Sequence, residues 1–237
     1  MVPGMAEYAD DAAEEIRVTG RLHEFKGGLV LPGHRQETAA APIISTAIPP
    51  RLVLPLQQHI GAPAEPLVRR GDTVKKGQML ARSQGVISAP VHAPTSGRIM
   101  GIGNYPANHP SGLSVRTITL KPDGDDEWVD SLNPAADPFT LEPEEIARRV
   151  AAAGVVGMGG ATFPSAVKLN LRNRYRLQTL VINGAECEPY LTCDDRLMRQ
   201  CPDEVLTGVR LMARALGVEE VLIAIEDNKP EAQQAMR

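Results

Sequence analysis

The sequence predicts an all-β module followed by an α/β domain, and three observations carry that expectation. From residue 67 to 120, short apolar runs recur between turn signals at Gly71-Asp72, Gly77, Gly85, Pro94 and Gly97, the pattern of many short strands. Beyond Thr140 the composition shifts to amphipathic segments bounded by helix caps and stops. Between Gln178 and Ile225, strand, helix and strand signals follow one another, an order that implies a parallel βαβ unit with a right-handed crossover.

Residues 1–26 read as a polar arm with a short helix around Ala12 to Ile16. The β-rich module is expected at 27–122; in its first part, from Gly27 to about Pro66, prolines and the β-branched runs PIISTAI and RLVLPL favour extended strands and turns over helix. Residues 123–139 form a linker that opens on the acidic turn Asp123-Gly124-Asp125-Asp126 and is anchored by Trp128. The α/β domain is expected at 140–237. Its first helix runs through Ala153, with Thr140 or Glu142 at the cap, Pro143 in the first turn, carboxylates near the positive dipole end and Gly154 as the stop. A helix from Pro164 to Asn173, a buried strand from Gln178 to Asn183, a helix from Pro202 to Leu216 closed by Gly217, and a strand from Val218 to Ile225 follow. Pro230 starts one more helix. Two parallel strands cannot bury both of their faces, so the domain reads as incomplete and the chain as a fragment.

Composition bounds the function. The chain has 237 residues, of which 43% are hydrophobic, and 25 Lys+Arg against 29 Asp+Glu give a net charge of −4. That balance offers no attraction to nucleic acid or anionic lipid. The apolar-looking stretch from Ala41 to Leu56 is cut by Pro42, Pro49, Pro50, Arg51 and Pro55, so no segment has the roughly 20 residues needed to span a bilayer. The acidic N-terminus lacks the apolar core of a secretory signal, and a cytoplasmic location is expected, any membrane association running through protein partners.

The chemistry-bearing residues fall in two stretches. In VVGMGGATFPSAVKL, Gly157, Gly159 and Gly160 precede Pro164 and a lysine-bearing helix, a backbone that side chains do not obstruct. A dinucleotide fingerprint must follow a strand, whereas this loop follows a helix, and no G-K-[ST] follows it. A phosphate or a flat ring lying against the loop amides remains. The second stretch, Asn183-Gly-Ala-Glu186-Cys-Glu188-Pro-Tyr190, lies where α/β sheets collect ligands, beyond the carboxyl end of a strand. Asn183 can donate and accept toward a ring edge, and Glu186 and Glu188 can accept from hydroxyls or an amide. Each taken alone reads as an ordinary turn residue; their combination suggests that loop and strand end line opposite walls of one nucleotide-sized cleft. Cys187, Cys193 and Cys201 lack the paired C-x-x-C spacing of metal sites, so reduced thiols and no metal are expected.

Two resemblances extend this reading. V-x-x-G-D-x-V-x-x-G-Q-x-L over Val68 to Leu80 and A-P-x-x-G-x-I over Ala93 to Ile99 resemble the barrel-sandwich hybrid fold of biotinyl and lipoyl carrier domains. The tip between them, Ser83 to Ser88, has no lysine, which excludes covalent attachment of biotin or lipoate there. G-M-G-G-A-T-F-P-S-A-V-K with V-I-N-G-A-E-C-E-P-Y looks like the flavin and NADH-binding region of the complex I 51-kilodalton protein. Adding GGLVLPGH and S-A-P-V-H-A-P-T-S-G, the chain most resembles the RnfC family, found in the Rnf ion-translocating electron transport complexes. The resemblance implies a peripheral component at the cytoplasmic face of the bacterial inner membrane. Its partners would be the other Rnf subunits, and it would exchange electrons between NADH and FMN within an NAD:ferredoxin oxidoreductase.

By that resemblance Gly157, Gly159, Gly160, Lys168, Asn183 and Glu186 contact the flavin, and Phe163 and Glu188 face the nicotinamide nucleotide. Met158 and Ala185 depart from the complex I pattern, which carries arginine and aspartate there. Two 4Fe-4S clusters are implied only for a portion beyond Arg237. Hydride exchange needs no general base, so His34, His59, His92 and His109 receive no catalytic role. The alternative is a docking or assembly module that binds no flavin.

Overall fold

Four consecutive buried residues, Thr117 to Leu120, mark the strand around which the β-half is built, since only a central strand is covered on both faces. The computed structural model describes residues 32–106, 111–130, 132, 134–158 and 162–237. The predicted arm and its helix at Ala12 to Ile16, together with His109, lie outside the described residues.

A helical turn, α1 (Gln36–Ala39), lies in a stretch whose prolines predict extended strands and turns rather than helix. β1 (Leu52–Pro55), β7 (Ser114–Pro122), β6 (Gly97–Pro106) and β3 (Thr73–Val74) then form an antiparallel sheet in that order. β2 (Glu65–Pro66), β4 (Met79–Arg82) and β5 (Val91–His92) form a second antiparallel sheet. Their inner faces meet in a core of Leu56, Val74, Leu80, Val91, Ile99, Ile118 and Leu120. The curl depends on close approach at Gly97, where a Cβ would lie 2.2 Å from Lys121 O, and on a register shift between Ile99 and Gly101. The barrel-sandwich hybrid expected from the paired glycine motifs is therefore present. Trp128 does anchor the connecting segment, lying under the Lys76 ammonium at 5.0 Å.

The second half contains α2 (Pro143–Ala152), α3 (Ser165–Leu169), α4 (Cys193–Gln200), α5 (Pro202–Leu216) and α6 (Pro230–Ala235) together with two parallel strands, β8 (Thr179–Gly184) and β9 (Glu220–Ile225). The boundaries follow the caps: Pro143 and Pro202 begin helices, and Gly217, at φ 69°, ends α5. α3 is shorter than the expected Pro164–Asn173 helix, because its last turn tightens into a 3₁₀ segment over Asn170–Asn173. α4 had no counterpart in the sequence expectation. α2, α3 and α5 share a core of Ile146, Ala147, Leu169, Ala215 and Leu216. The opposite face of the strand pair is open, with Val181 and Leu222 in register and 60% and 40% exposed.

Candidate functional site

The loop between α2 and α3 is pinned at its neck. Gly157 N donates to Phe163 O at 2.8 Å and Ser165 N to Val155 O at 3.0 Å, beside an antiparallel bridge between Val156 and Pro164. Thr162 holds φ 51°, a left-handed conformation that a β-branched residue adopts only under constraint. From α3, the Lys168 ammonium reaches back to 5.9 Å from the Phe163 ring centre and 3.8 Å from where a Cβ on Gly157 would sit. Gly157, Phe163 and Lys168 are thus gathered in one corner, a cation beside backbone that carries no side chain. Such a corner suits a phosphate or a ring lying flat on the loop. Gly159 and Gly160 lie outside the described residues.

The second stretch sits at the carboxyl end of β8. At Gly184 a Cβ would meet Ala224 O at 3.0 Å and Met198 Sδ at 3.2 Å, so glycine lets β9 and α4 close on the strand end. Asn183 Oδ1 accepts from Ala185 N at 3.0 Å, a local turn that leaves its amide nitrogen free to donate among the described residues. Glu188 is exposed. Glu186, by contrast, is 3% exposed and turned inward. Its carboxylate accepts from Asp194 N at 2.8 Å, Asp195 N at 3.2 Å and Cys193 Sγ at 3.4 Å, capping the N-terminus of α4, with the Lys229 ammonium 3.6 Å away.

Burial pushes the Glu186 pKa up, but the amides of Asp194 and Asp195, the Cys193 thiol and Lys229 outweigh it and hold the carboxyl below its ordinary value. Burial, then the neighbouring Glu186, pushes Cys193 and Asp194 up. The ligand-type atoms of Glu186, Cys193 and Asp194 lie within 4.8 Å of one another, a proximity that the cap itself accounts for. The signal that would have revealed α4 is Asp194 and Asp195 ahead of Arg199, acids in a first turn and a base in the last.

Among the described residues no hydrogen bond or ion pair joins the Gly157–Phe163–Lys168 corner to the strand end. Two of the cavities among the described residues are lined by other groups. One of about 490 Å³ is lined by Gly33 to Gln36, Asp195, Arg199 and Lys229. The other, about 190 Å³, lies where the two halves touch, between His59, Ala89 to His92, Gly154 and Val156. There His59 is buried and engaged through both ring nitrogens, and desolvation keeps the His92 pKa low despite its hydrogen bond to the backbone of Ala152.

Comparison with known proteins accounts for both halves. Residues 23–125 match the RnfC barrel sandwich hybrid domain and residues 150–237 match the Nuo51 FMN-binding domain. The C subunit of an ion-translocating oxidoreductase complex from Rhodobacter capsulatus is 58% identical over 90% of this chain and 41% of its own length. The protein of the same name from Pseudomonas aeruginosa is 46% identical over 91% of this chain and 28% of its own. The C subunit of a proton-translocating ferredoxin:NAD(+) oxidoreductase complex from Clostridium ljungdahlii is 43% identical over 91% of this chain and 47% of its own. The chain therefore spans less than half the length of these relatives. No helix among the described residues is long and apolar enough to cross a membrane.

Proposed function

We propose, from the premise that the chain belongs to the RnfC family of ion-translocating oxidoreductase complexes, that it carries the electron-input site of such a complex and binds FMN and NADH. The observation that carries the reading is the Lys168 ammonium set beside Gly157 and Phe163, inside the segment that matches an FMN-binding domain. Exchange of a hydride between NADH and a flavin is the chemistry that such a pair supplies.

The protein's own contribution is placement. Lys168 offers donors to a phosphate, and the side-chain-free backbone at Gly157 leaves room for a ring, with Gly159 and Gly160 as the further flavin contacts that their motif implies. Phe163 and Glu188 face the nicotinamide nucleotide. Asn183 points its free amide at the ring edge, and Glu186, engaged at α4, shapes that wall through its main chain. The partners are the other subunits of the complex, at the cytoplasmic face of the inner membrane.

The test is titration of the purified chain with FMN, read by flavin fluorescence. Saturable quenching is expected in the wild type. Lys168→Gln should weaken it about tenfold or more, the scale of a lost charge-assisted contact. Gly157→Asp, which sets a carboxylate against Lys168 without backbone strain, should weaken it further. Absence of saturable quenching in the wild type refutes the proposal.

A further inference from the structure

Residues 33–43 precede β1, the first strand of the β-module, yet they lie against the α/β half. Tyr190 N donates to Gly33 O at 2.8 Å, Thr38 Oγ1 donates to Tyr190 O at 2.8 Å, and Thr192 Oγ1 donates to Thr38 Oγ1 at 3.0 Å. Further along, Ile43 N donates to Gln200 Oε1 at 2.8 Å. The His34 ring stacks on Tyr190 with centroids 4.8 Å apart and planes 8° apart. Both residues hold left-handed backbones, at φ 50° and 65°, so the contact is made by two strained positions that must be fixed by their surroundings.

At the centre of the contact is Arg35. One guanidinium nitrogen donates to the main-chain O of Glu186, in the loop after β8; another lies 3.4 Å from Glu226 Oε1, directly after β9. Glu186 N donates to Glu226 Oε2 at 3.3 Å, which closes the triangle. A planar guanidinium can span two acceptors in this way, whereas an ammonium acts as a single point charge.

We infer that residues 33–39 are a strap that sets the loop after β8, with Arg35 as its positioning residue: by tying Glu186 to Glu226 it fixes the carboxyl ends of both parallel strands. The inference rests on the reading of residues 183–188 as one wall of the nucleotide site. It gives a physical reason for a segment from outside the α/β half to be held there by hydrogen bonds, an ion pair and a ring stack. Loops beyond strand ends are ordered only by what they touch, and binding to a pre-ordered wall avoids the entropy of ordering it on contact.

Three variants test it: Arg35→Gln, Arg35→Lys, and Thr38→Val, which removes one strap bond without touching charge. Backbone amide exchange should quicken at least about tenfold at 185–192 and 226–229 in the Arg35 variants and less in Thr38→Val, while β6 and β7 stay unchanged. The FMN dissociation constant should rise about tenfold in Arg35→Gln, and Arg35→Lys should not restore it, because the charge without the two-site geometry is insufficient. Unaltered exchange, unaltered flavin affinity beside faster exchange, or full rescue by lysine each overturns the strap. If the wild type takes up no FMN, the nucleotide reading fails while the exchange pattern still decides the strap. If wild type and Arg35 variants bind FMN equally, the strap fails and the nucleotide reading stands.

Discussion

Glu186 shows how one side chain does several jobs at once. It neutralises the first amides of α4, receives the Cys193 thiol and faces Lys229, which is 7% exposed and has its other carboxylate neighbour, Asp195, at 3.9 Å. Because its pKa is lower folded than unfolded, its stabilising contribution is complete above the ordinary carboxylate value of about 4.3 and fades as acid protonates it. Glu186→Gln is expected to destabilise the fold at pH 7 by about 1–3 kcal/mol, the scale of buried bonds to a charged group, and to flatten the loss of stability below about pH 4.3. Urea unfolding at pH 7 and pH 4 measures both. The polarity of the Asn183–Glu188 stretch was legible from its letters. Which carboxylate turns inward was not, since Glu186 and Glu188 sit in the same E-C-E text and only the position of α4 separates them.

At the scale of elements, local chemistry spoke clearly wherever a cap was strong. α5 runs from Pro202 to Leu216 as its proline, amphipathic face and Gly217 demand, whereas α1 and α4 were missed because each is short and takes its stability from the segments that it touches. Gly154 and Gly217 give a matched pair for testing tertiary docking. Both are left-handed, at φ 70° and 69°; a Cβ at Gly217 would meet open space, while one at Gly154 would lie 2.8 Å from Pro90 O in the β-module. Gly217→Ala should cost about 1 kcal/mol of backbone strain. Gly154→Ala should cost that plus about 1–3 kcal/mol for the displaced neighbour, by denaturant midpoint. Equal losses would show that the two halves do not meet at Gly154.

Across the whole molecule, stability is unevenly shared. The β-half encloses Ile118 and Leu120 completely, at 0% exposure, while the two parallel strands of the α/β half present Val181 and Leu222 to solvent. Amide exchange should therefore be slowest in β6 and β7 and about a hundredfold faster in β8 and β9, and uniform protection would contradict this division. Neighbours along the chain dictate the turn glycines of the β-module, the capped helices, the parallel βαβ order, and the glycine-rich and polar stretches of which the loop segment and the strand end are parts. Which groups meet across long separations is set by packing, because a side chain's direction and the partners that desolvate it arise only once the chain is folded. Lys168 returns to Gly157, Glu186 is withdrawn into α4, and Arg35, more than 150 residues before its partner, reaches the strand end.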